Sequence, residues 1–137
     1  MKKFLQQASQ VWLFAILLTL VGCKKDELSL YGKSFALNNP ELTAALKAKG
    51  FSFEGNDIVI DDKLWELTSL DLSGAGLKSV AGITIFKNLQ QVNLSNNALG
   101  KVFDCSLLPE NIQQVDLSGN PIYEFKNLRP LQKLILP

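Results

Sequence analysis

A motif that recurs along residues 67–136 constrains this chain more than any other feature of its sequence. Its copies follow the order L-x-x-L-x-L-x-x-N-x-L, where x is any residue, and they begin at residues 67, 89, 112 and 131. Successive starts are 22, 23 and 19 residues apart. A period of this length predicts one short supersecondary unit that repeats and can bury its apolar face only against its neighbours.

This pattern and period are similar to those of the leucine-rich repeat. The resemblance implies an α/β protein: a short leucine-rich-repeat solenoid over residues 67–137, with a curved parallel β-sheet. In each copy the L-x-L segment is predicted to be a strand. Side-chain alternation then directs Leu70 and Leu72 into the core and Asp71 to the concave face.

The ninth position of the motif is Asn97 in the second copy, Asn120 in the third and Ala75 in the first. We expect the two Asn side chains to turn inward and satisfy loop backbone groups of neighbouring copies that would otherwise be buried unpaired. Apolar side chains are expected to fill the convex side: Val80, Ile83, Phe86, Val102, Phe103, Leu107, Leu108 and Phe125.

Residues 38–66 are predicted to form an N-terminal helical cap. Asn39 can cap a helix, Pro40 fits the first helical position and Gly50 is a natural stop. A turn at residues 54–57 then leads into a short predicted strand. The first repeat of a solenoid has an open apolar edge that a dissimilar terminal unit usually covers. The alternative is a helix that binds a partner.

Residues 1–22 have the zones of an export signal, with an apolar core of about twelve residues that is too short to span a membrane. The segment ends Leu20-Val21-Gly22-Cys23, which resembles the bacterial lipobox. The resemblance implies that Cys23 becomes the first mature residue and carries a thioether-linked diacylglycerol and an N-acyl chain. Residues 23–37 then form the lipidated Cys and a tether to the membrane. The alternative is an ordinary signal peptide with an incidental Cys.

Lys25-Asp26-Glu27 resembles an export tag of one group of Gram-negative bacteria, in which it directs lipoproteins to the outer face of the outer membrane. Residues 35–137 resemble bacterial leucine-rich-repeat surface lipoproteins in their order of helix, turn, strand and first repeat. These resemblances imply a protein that is lipid-anchored at the bacterial outer membrane and displayed at the surface. The alternative for the charged run is a solvated tether. If Cys23 is acylated, Cys105 is expected to be a small buried apolar residue; the alternative is a disulfide between the two.

The concave face of the predicted sheet carries polar side chains in columns, because equivalent positions of successive copies stack. It is a candidate ligand-binding surface formed by Ser69, Asp71, Gln91, Asn93, Gln114, Asp116 and Lys133. These residues include no aromatic side chains of the kind that dominate protein interfaces, so we expect a shallow site for a polar protein or glycan ligand. The alternative is a solvated sheet face.

Several functions are disfavoured by composition and pattern. The chain has no His, which removes the commonest general base and metal ligand. Asp71 and Asp116 are predicted to lie two strands apart, about 10 Å, so we expect no enzyme. Phe53–Asp57 matches a calcium-like loop of some relatives but lacks its acidic alternation, so no metal or cofactor is expected. The formal net charge of +1 does not suit a nucleic-acid binder.

The sequence therefore predicts a lipid-anchored leucine-rich-repeat binding module at the bacterial cell envelope. One alternative is a structural or assembly protein that self-associates through residues 131–137. In that segment Leu131, Leu134 and Leu136 complete a strand whose apolar edge is a pairing liability. A truncated copy of a longer repeat protein is the other alternative.

Overall fold

The structure, a computed structural model, describes residues 30–137. The predictions made for the export signal, for Cys23 and for most of the tether lie outside the described residues. Within the described range no helix combines the length and the apolar character that crossing a bilayer requires.

A small antiparallel sheet begins the described part of the chain. Strands β1 (Ser34–Ala36), β2 (Phe53–Glu54) and β3 (Asp57–Val59) lie in the order β1-β3-β2. Strand β3 follows the turn that the sequence predicts, where Gly55 has a φ of +64°, a conformation that favours a residue without Cβ. Because β1 pairs with β3, folded structure begins N-terminal to residue 38, the boundary expected from the sequence.

Helix α1 (Pro40–Ala48) begins where the sequence predicts a helix. The side-chain oxygen of Asn39 accepts a hydrogen bond from the Leu42 N–H at 3.3 Å, and Pro40 takes the first helical position. Leu42 and Leu46, one turn apart, are fully buried. Capping and the apolar stripe together explain why this segment is helical.

The residue that caps α1 also connects it to the repeats. The Asn39 amide nitrogen donates to the carbonyl oxygens of Ser79 at 2.9 Å and Ala81 at 3.0 Å. A second, shorter helix, α2 (Asp62–Glu66), leads into the first repeat. Asp61 caps it by accepting from a backbone N–H at 3.0 Å.

Four parallel strands form the concave sheet. In spatial order they are β4 (Ser69–Asp71), β5 (Gln91–Asn93), β7 (Gln114–Asp116) and β9 (Lys133–Ile135). The middle residues pair in register and are Leu70, Val92, Val115 and Leu134. The first three are buried and the last is half-buried, while their neighbours face outward. This arrangement confirms the predicted strands and their stacking in all four copies.

The segments that return between these strands carry a second, two-stranded parallel sheet. It consists of β6 (Val102–Asp104) and β8 (Glu124–Lys126) and is not predicted by the repeat pattern. Paired Phe103 and half-buried Phe125 pack edge to face, with 6.3 Å between their ring centroids. Short 3-10 helices cover Ile83–Ile85 and Cys105–Leu107.

Two of the residues expected to fill the convex side are exposed to solvent. Val102 is 43% exposed and Leu107 is 37% exposed, so the prediction is wrong at these positions. Adjacent strand residues point to opposite faces, and Phe103 takes the inward place next to Val102. Leu107 ends a 3-10 helix whose buried neighbours are Cys105 and Leu108.

Asn97 holds two neighbouring copies together, as its position predicts. Its side-chain oxygen accepts from the backbone N–H groups of Ala75 and Leu77, each at 3.0 Å. Its amide nitrogen donates to the carbonyl oxygens of Leu72 and Leu94, each at 2.9 Å. These bonds satisfy loop backbone groups that burial would otherwise leave unpaired, which confirms the expected role.

Asn120 repeats this arrangement one copy later. Its amide nitrogen donates to the carbonyl oxygens of Leu94 at 2.8 Å and Leu117 at 3.0 Å. Its side-chain oxygen accepts from the Leu99 N–H at 3.3 Å. The first two loops are thus each bonded to an Asn that belongs to the next copy.

A second column of Asn side chains lies just before the strands and was not predicted. Asn88 donates to the Trp65 carbonyl at 2.6 Å, and Asn111 donates to the Lys87 carbonyl at 2.8 Å. In the sequence, an Asn stands directly before the first apolar position of copies two and three. In copy four this place is taken by Pro130. The Asn88 bond thus connects the second copy to the cap, and the Asn111 bond connects the third copy to the segment before the second.

Asn97→Ala is expected to lower the free energy of unfolding by about 3 kcal/mol, because it leaves buried N–H and C=O groups unpaired. Asn111→Ala is the matched control, since Asn111 is exposed and makes one such bond; its expected cost is below about 1 kcal/mol. Urea denaturation followed by circular dichroism measures both. An Asn97→Ala cost no larger than that of the control would contradict the assigned role.

Candidate functional site

A shallow concavity of about 310 Å³ lies over the four-stranded parallel sheet. Its lining includes every residue predicted for the ligand surface: Ser69, Asp71, Gln91, Asn93, Gln114, Asp116 and Lys133. Ile135, which is not among the predicted residues, also lines it. The structure therefore brings the predicted set together on one surface.

Strand pairing in register arranges these side chains in two columns. The third-position column is Ser69, Gln91, Gln114 and Lys133. The fifth-position column is Asp71, Asn93, Asp116 and Ile135. Neighbours within a column are about 4.8 Å apart, the spacing of paired strands. The face thus offers amides and carboxylates over three copies, and an ammonium and an apolar group at the fourth.

The fifth-position residues face the concavity and also build the turn after each strand. Oδ1 of Asp71 accepts hydrogen bonds from the N–H and the hydroxyl of Ser73, at 2.9 and 2.7 Å. The same bonds join Asn93 to Ser95 and Asp116 to Ser118. Each carboxylate uses one oxygen in this way. The second oxygen has no hydrogen bond within the described residues, and both Asp residues line the concavity.

This double role was missed in the sequence, although a signal for it was present. Asp-Leu-Ser or Asn-Leu-Ser recurs at the end of each of the first three strands. Asp and Asn side chains commonly bond the backbone two residues on, which is the spacing seen here. The concave columns therefore cannot be altered freely without affecting the turns.

The Ser residues also lower the pKa values of the carboxylates on this face. Hydrogen bonding from the Ser73 hydroxyl and N–H holds the pKa of Asp71 below its ordinary value, and Lys49 lowers it further. Ser118 acts in the same way on the pKa of Asp116, with a smaller contribution from Lys133. Both carboxylates are therefore ionised throughout the neutral pH range.

The two carboxylates are poorly arranged for catalysis. Strand β5 lies between Asp71 and Asp116, so they are about 10 Å apart, whereas inverting glycosidases hold theirs about 6.5–9.5 Å apart. A general acid needs a raised pKa, and these pKa values are lowered. Among residues 30–137, no three Cys, Asp or Glu side chains are grouped so that they could hold a metal ion. The chemistry that this face offers is hydrogen bonding and charge.

Cys105 is buried as expected, with 2% of its surface exposed. Burial raises the pKa of its thiol, and the neighbouring Asp104 raises it further. It forms no disulfide within the described residues. The thiol is therefore neutral and packs as a small apolar group.

A larger groove of about 620 Å³, which no sequence pattern predicts, lies between the start of α1 and the β2–β3 turn. Lys47 stands at its side, where Nζ donates to the Asn56 side-chain oxygen at 3.0 Å. The same ammonium lies 5.3 Å from the centroid of the Phe53 ring. The ammonium group at this groove is thus already engaged within the fold.

The last described strand leaves apolar side chains uncovered. Leu128 is 64% exposed and Leu136 is 59% exposed, while Leu131 and Leu134 are half-buried. Strand β9 pairs with β7 and with no second strand among the described residues. The edge expected at residues 131–137 is therefore present as a geometric feature.

Ser118→Ala is expected to raise the pKa of Asp116 toward its ordinary value, because it removes the hydroxyl donor and keeps the backbone N–H. Ser106→Ala is the control: it removes the equivalent bond to Asp104 and should leave Asp116 unchanged. An NMR titration of the carboxyl carbons measures both pKa values.

The same variant has a consequence for stability. Because folding lowers the pKa of Asp116, the stabilisation that this bond supplies is present above the unfolded carboxyl pKa and is lost as the pH falls through the folded one. The wild type should therefore lose more stability on acidification than Ser118→Ala. Equal pKa values for Asp116 in the two proteins would refute the assignment.

No protein-family model matches the chain, and no solved structure matches it. The chain is similar to the acidic leucine-rich nuclear phosphoprotein 32 family member A of Drosophila melanogaster, with 30% identity over 74 residues, which are 54% of this chain and 28% of that protein. The protein of the same description from Drosophila pseudoobscura pseudoobscura is similar to the same extent. The chain thus spans 28% of the length of these relatives. This similarity and the stacked parallel strands together support a leucine-rich-repeat-like solenoid.

Proposed function

We propose that this protein is a leucine-rich-repeat binding module that engages a protein or glycan ligand through its concave face. The observation that carries the proposal is the concavity of about 310 Å³, in which all the predicted polar residues meet in register. Their backbones belong to one hydrogen-bonded sheet, so they are held in place before a ligand arrives. Such preorganisation lowers the cost of binding.

The chemistry of the face favours a polar ligand. Gln91 and Gln114 are neighbours in the third-position column, and their amides can both donate and accept hydrogen bonds. The free carboxylate oxygens of Asp71 and Asp116 are acceptors, and Lys133 is a donor at the end of the sheet. The lining contains no aromatic residue on which an apolar ligand could stack. Binding, rather than catalysis, is the activity that this set supports.

The proposal includes a lipid anchor at Cys23 and a location at the bacterial outer membrane, with display at the surface. The lipobox-like Leu20-Val21-Gly22-Cys23 and the charged tag that follows it support this part. Two or more acyl chains would anchor the protein stably. In this arrangement residues 38–66 serve as the N-terminal cap, which the contacts of Asn39 with the loop of the first repeat support. Nucleic acid is not the proposed partner.

The concave-face proposal predicts which variants lose binding. Asp116→Asn removes a charge but keeps the turn, because Asn93 makes the same bonds to its Ser in the preceding copy. Gln91→Ala removes an amide from the neighbouring column. Each is expected to weaken a ligand found on glycan arrays or by pull-down about tenfold, the effect of one lost charge-assisted or buried hydrogen bond.

Glu124→Gln is the matched control for Asp116→Asn, since it removes an exposed charge from β8 in the other sheet. It is expected to leave affinity unchanged. Ligand binding that survives Asp116→Asn and Gln91→Ala together would show that the concave face is not the site.

The anchor is tested separately, in bacterial cells that express the full chain. Metabolic labelling with an acyl analogue is expected to mark the wild type and not Cys23→Ser, whereas Cys105→Ser should be labelled as the wild type is. Protease treatment of intact cells then reports the side of the membrane. Labelling that persists in Cys23→Ser would contradict the proposed anchor. Protection of the protein from protease would contradict display at the surface.

A second candidate function is assembly through the exposed C-terminal edge. The observation that favours it is the set of uncovered apolar side chains at β9, since an open apolar strand edge pairs readily with another strand. This surface does not overlap the polar columns that carry the first proposal, so either function can hold without the other.

A further inference from the structure

The groove beside α1 has no part in the functions proposed above. Its volume of about 620 Å³ lies in the range of small-molecule sites, and it shares no lining residue with the concavity over the parallel sheet. One wall is a face of α1 in which Pro40, Thr43, Ala44 and Lys47 follow the i, i+3, i+4, i+7 spacing of a helix face. The opposite wall includes Asp57, at the start of β3. We call the space between these walls the α1 groove.

Thr43 differs from the other buried polar residues of the described chain. Among residues 30–137, the buried polar residues are Asn39, Thr43, Ser95, Asn97 and Asn120. The side chains of all of these except Thr43 make hydrogen bonds within the fold.

Thr43 is 8% exposed, and its hydroxyl has no hydrogen bond within the described residues, although its N–H donates to the Asn39 carbonyl at 2.9 Å. Burying a hydroxyl without a partner is costly, so an unpaired one in a folded protein calls for a reason. Thr43 lines the α1 groove, and the groove is therefore the side from which a partner can reach this hydroxyl.

The α1 groove also presents two opposite charges that do not neutralise each other. Lys47 and Asp57 both line it, and neither forms an ion pair among the described residues. Lys47 donates one N–H to the Asn56 side-chain oxygen at 3.0 Å, which leaves two of its three donors. This bond and the Phe53 ring, whose centroid is 5.3 Å away, hold the ammonium beside the groove. A donor and an acceptor of full charge are thus available to a ligand.

The rest of the lining is largely aliphatic and small. It includes Leu37, which is 5% exposed, together with Ala36, Pro40 and Ala44. The short Ala side chains leave space between α1 and the end of β1. No aromatic side chain lines the groove, so ring stacking does not contribute there. The lining suits a ligand that combines charged groups with an aliphatic part.

We propose that the α1 groove binds a small zwitterion of the amino-acid class, which is either a free α-amino acid or a dipeptide. Its carboxylate accepts hydrogen bonds from the Lys47 ammonium and the Thr43 hydroxyl, and its ammonium donates to the Asp57 carboxylate. Its aliphatic part lies against Leu37 and Ala44. Neither this proposal nor the concave-face proposal depends on the other.

Ligands that lack one of the two charges fit the same groups less well. An anion without an ammonium group is attracted by Lys47 but repelled by Asp57, and the reverse holds for a cation without a carboxylate. A purely aliphatic ligand would cover Thr43, Lys47 and Asp57 without replacing their hydrogen bonds to water, which is costly. The three polar groups together therefore favour a zwitterion.

The test titrates small probes into the full chain, purified in detergent, and measures affinity by isothermal titration calorimetry. The zwitterions are L-leucine and the dipeptide L-leucyl-glycine. N-acetyl-L-leucine lacks the ammonium, and L-leucinamide lacks the carboxylate. A zwitterion is expected to bind saturably, and each analogue at least about tenfold more weakly than L-leucine, because a charge-assisted hydrogen bond is lost. The tighter of the two zwitterions shows whether the ligand is an amino acid or a dipeptide.

Variants of Thr43 test whether the hydroxyl contacts the ligand. Thr43→Val is expected to weaken L-leucine binding about tenfold, whereas Thr43→Ser keeps the hydroxyl and should retain binding. If the hydroxyl has no ligand, replacing it by a methyl group leaves affinity unchanged and alters only stability, which urea denaturation measures separately. Thr84→Val, at an exposed Thr outside the groove, is the matched control and should bind as the wild type does.

Charge variants test which wall meets which end of the ligand. Asp57→Asn should bind L-leucine and N-acetyl-L-leucine with similar affinity, because the ammonium no longer has its partner. Lys47→Met should bind L-leucine and L-leucinamide with similar affinity, because the carboxylate has lost its own. Lys87→Met, at an exposed Lys outside the groove, is the control and should discriminate as the wild type does.

The outcomes separate this proposal from its alternatives. Equal binding of L-leucine and both analogues overturns it, and so does the absence of binding at millimolar L-leucine and L-leucyl-glycine. Binding that is unchanged in Thr43→Val and in Asp57→Asn would also overturn it. Binding that is lost in Asp116→Asn but kept in Thr43→Val would place the zwitterion on the concave face and refute the α1 groove as its site.

Discussion

The structure depends on hydrogen bonds that each repeat makes to the loop of the repeat before it. A repeat of about 22 residues places backbone N–H and C=O groups in a loop that its own strand cannot reach, and burial makes unpaired groups costly. Asn97 and Asn120, each in the following copy, pair with these groups: one carboxamide donates to a loop carbonyl and accepts from a loop N–H. Stability is therefore shared between neighbours, and no copy is an independent unit.

The same dependence shapes the candidate binding surface. Asp71, Asn93 and Asp116 form the middle column of the concave face, and each also holds the Ser that begins the following turn. One side-chain oxygen of each residue accepts hydrogen bonds in the turn, and the rest of the carboxylate or amide lines the concave face. The Ser hydroxyls that build the turns also lower the carboxylate pKa values, so one set of bonds shapes the repeat and favours the ionised form of these carboxylates.

The first and last repeats differ in the hydrogen bonds that they make beyond the stack. At the first repeat, Ala75 stands at the ninth position, and Asn39 of the preceding segment bonds the Ser79 and Ala81 carbonyls. At the last, β9 pairs only with β7 within the described residues, and Leu128 and Leu136 are exposed. These two exposed side chains are apolar, whereas the columns of the concave face are mostly polar.

Residue spacing alone predicts the repeat type, the register of the four concave strands, the roles of Asn97 and Asn120, and the membership of the polar columns. Those features follow from period and alternation, which are properties of residue spacing. Spacing does not predict that β1 joins the first sheet, that β6 and β8 pair, or that Val102 and Leu107 face solvent, because these features depend on contacts between distant segments. Adjacent apolar residues such as Val102 and Phe103 compete for one inward place, and the choice depends on the neighbouring copy. The bonds from Asp71 and Asp116 to Ser73 and Ser118 likewise require knowing where each strand ends, which spacing alone does not define.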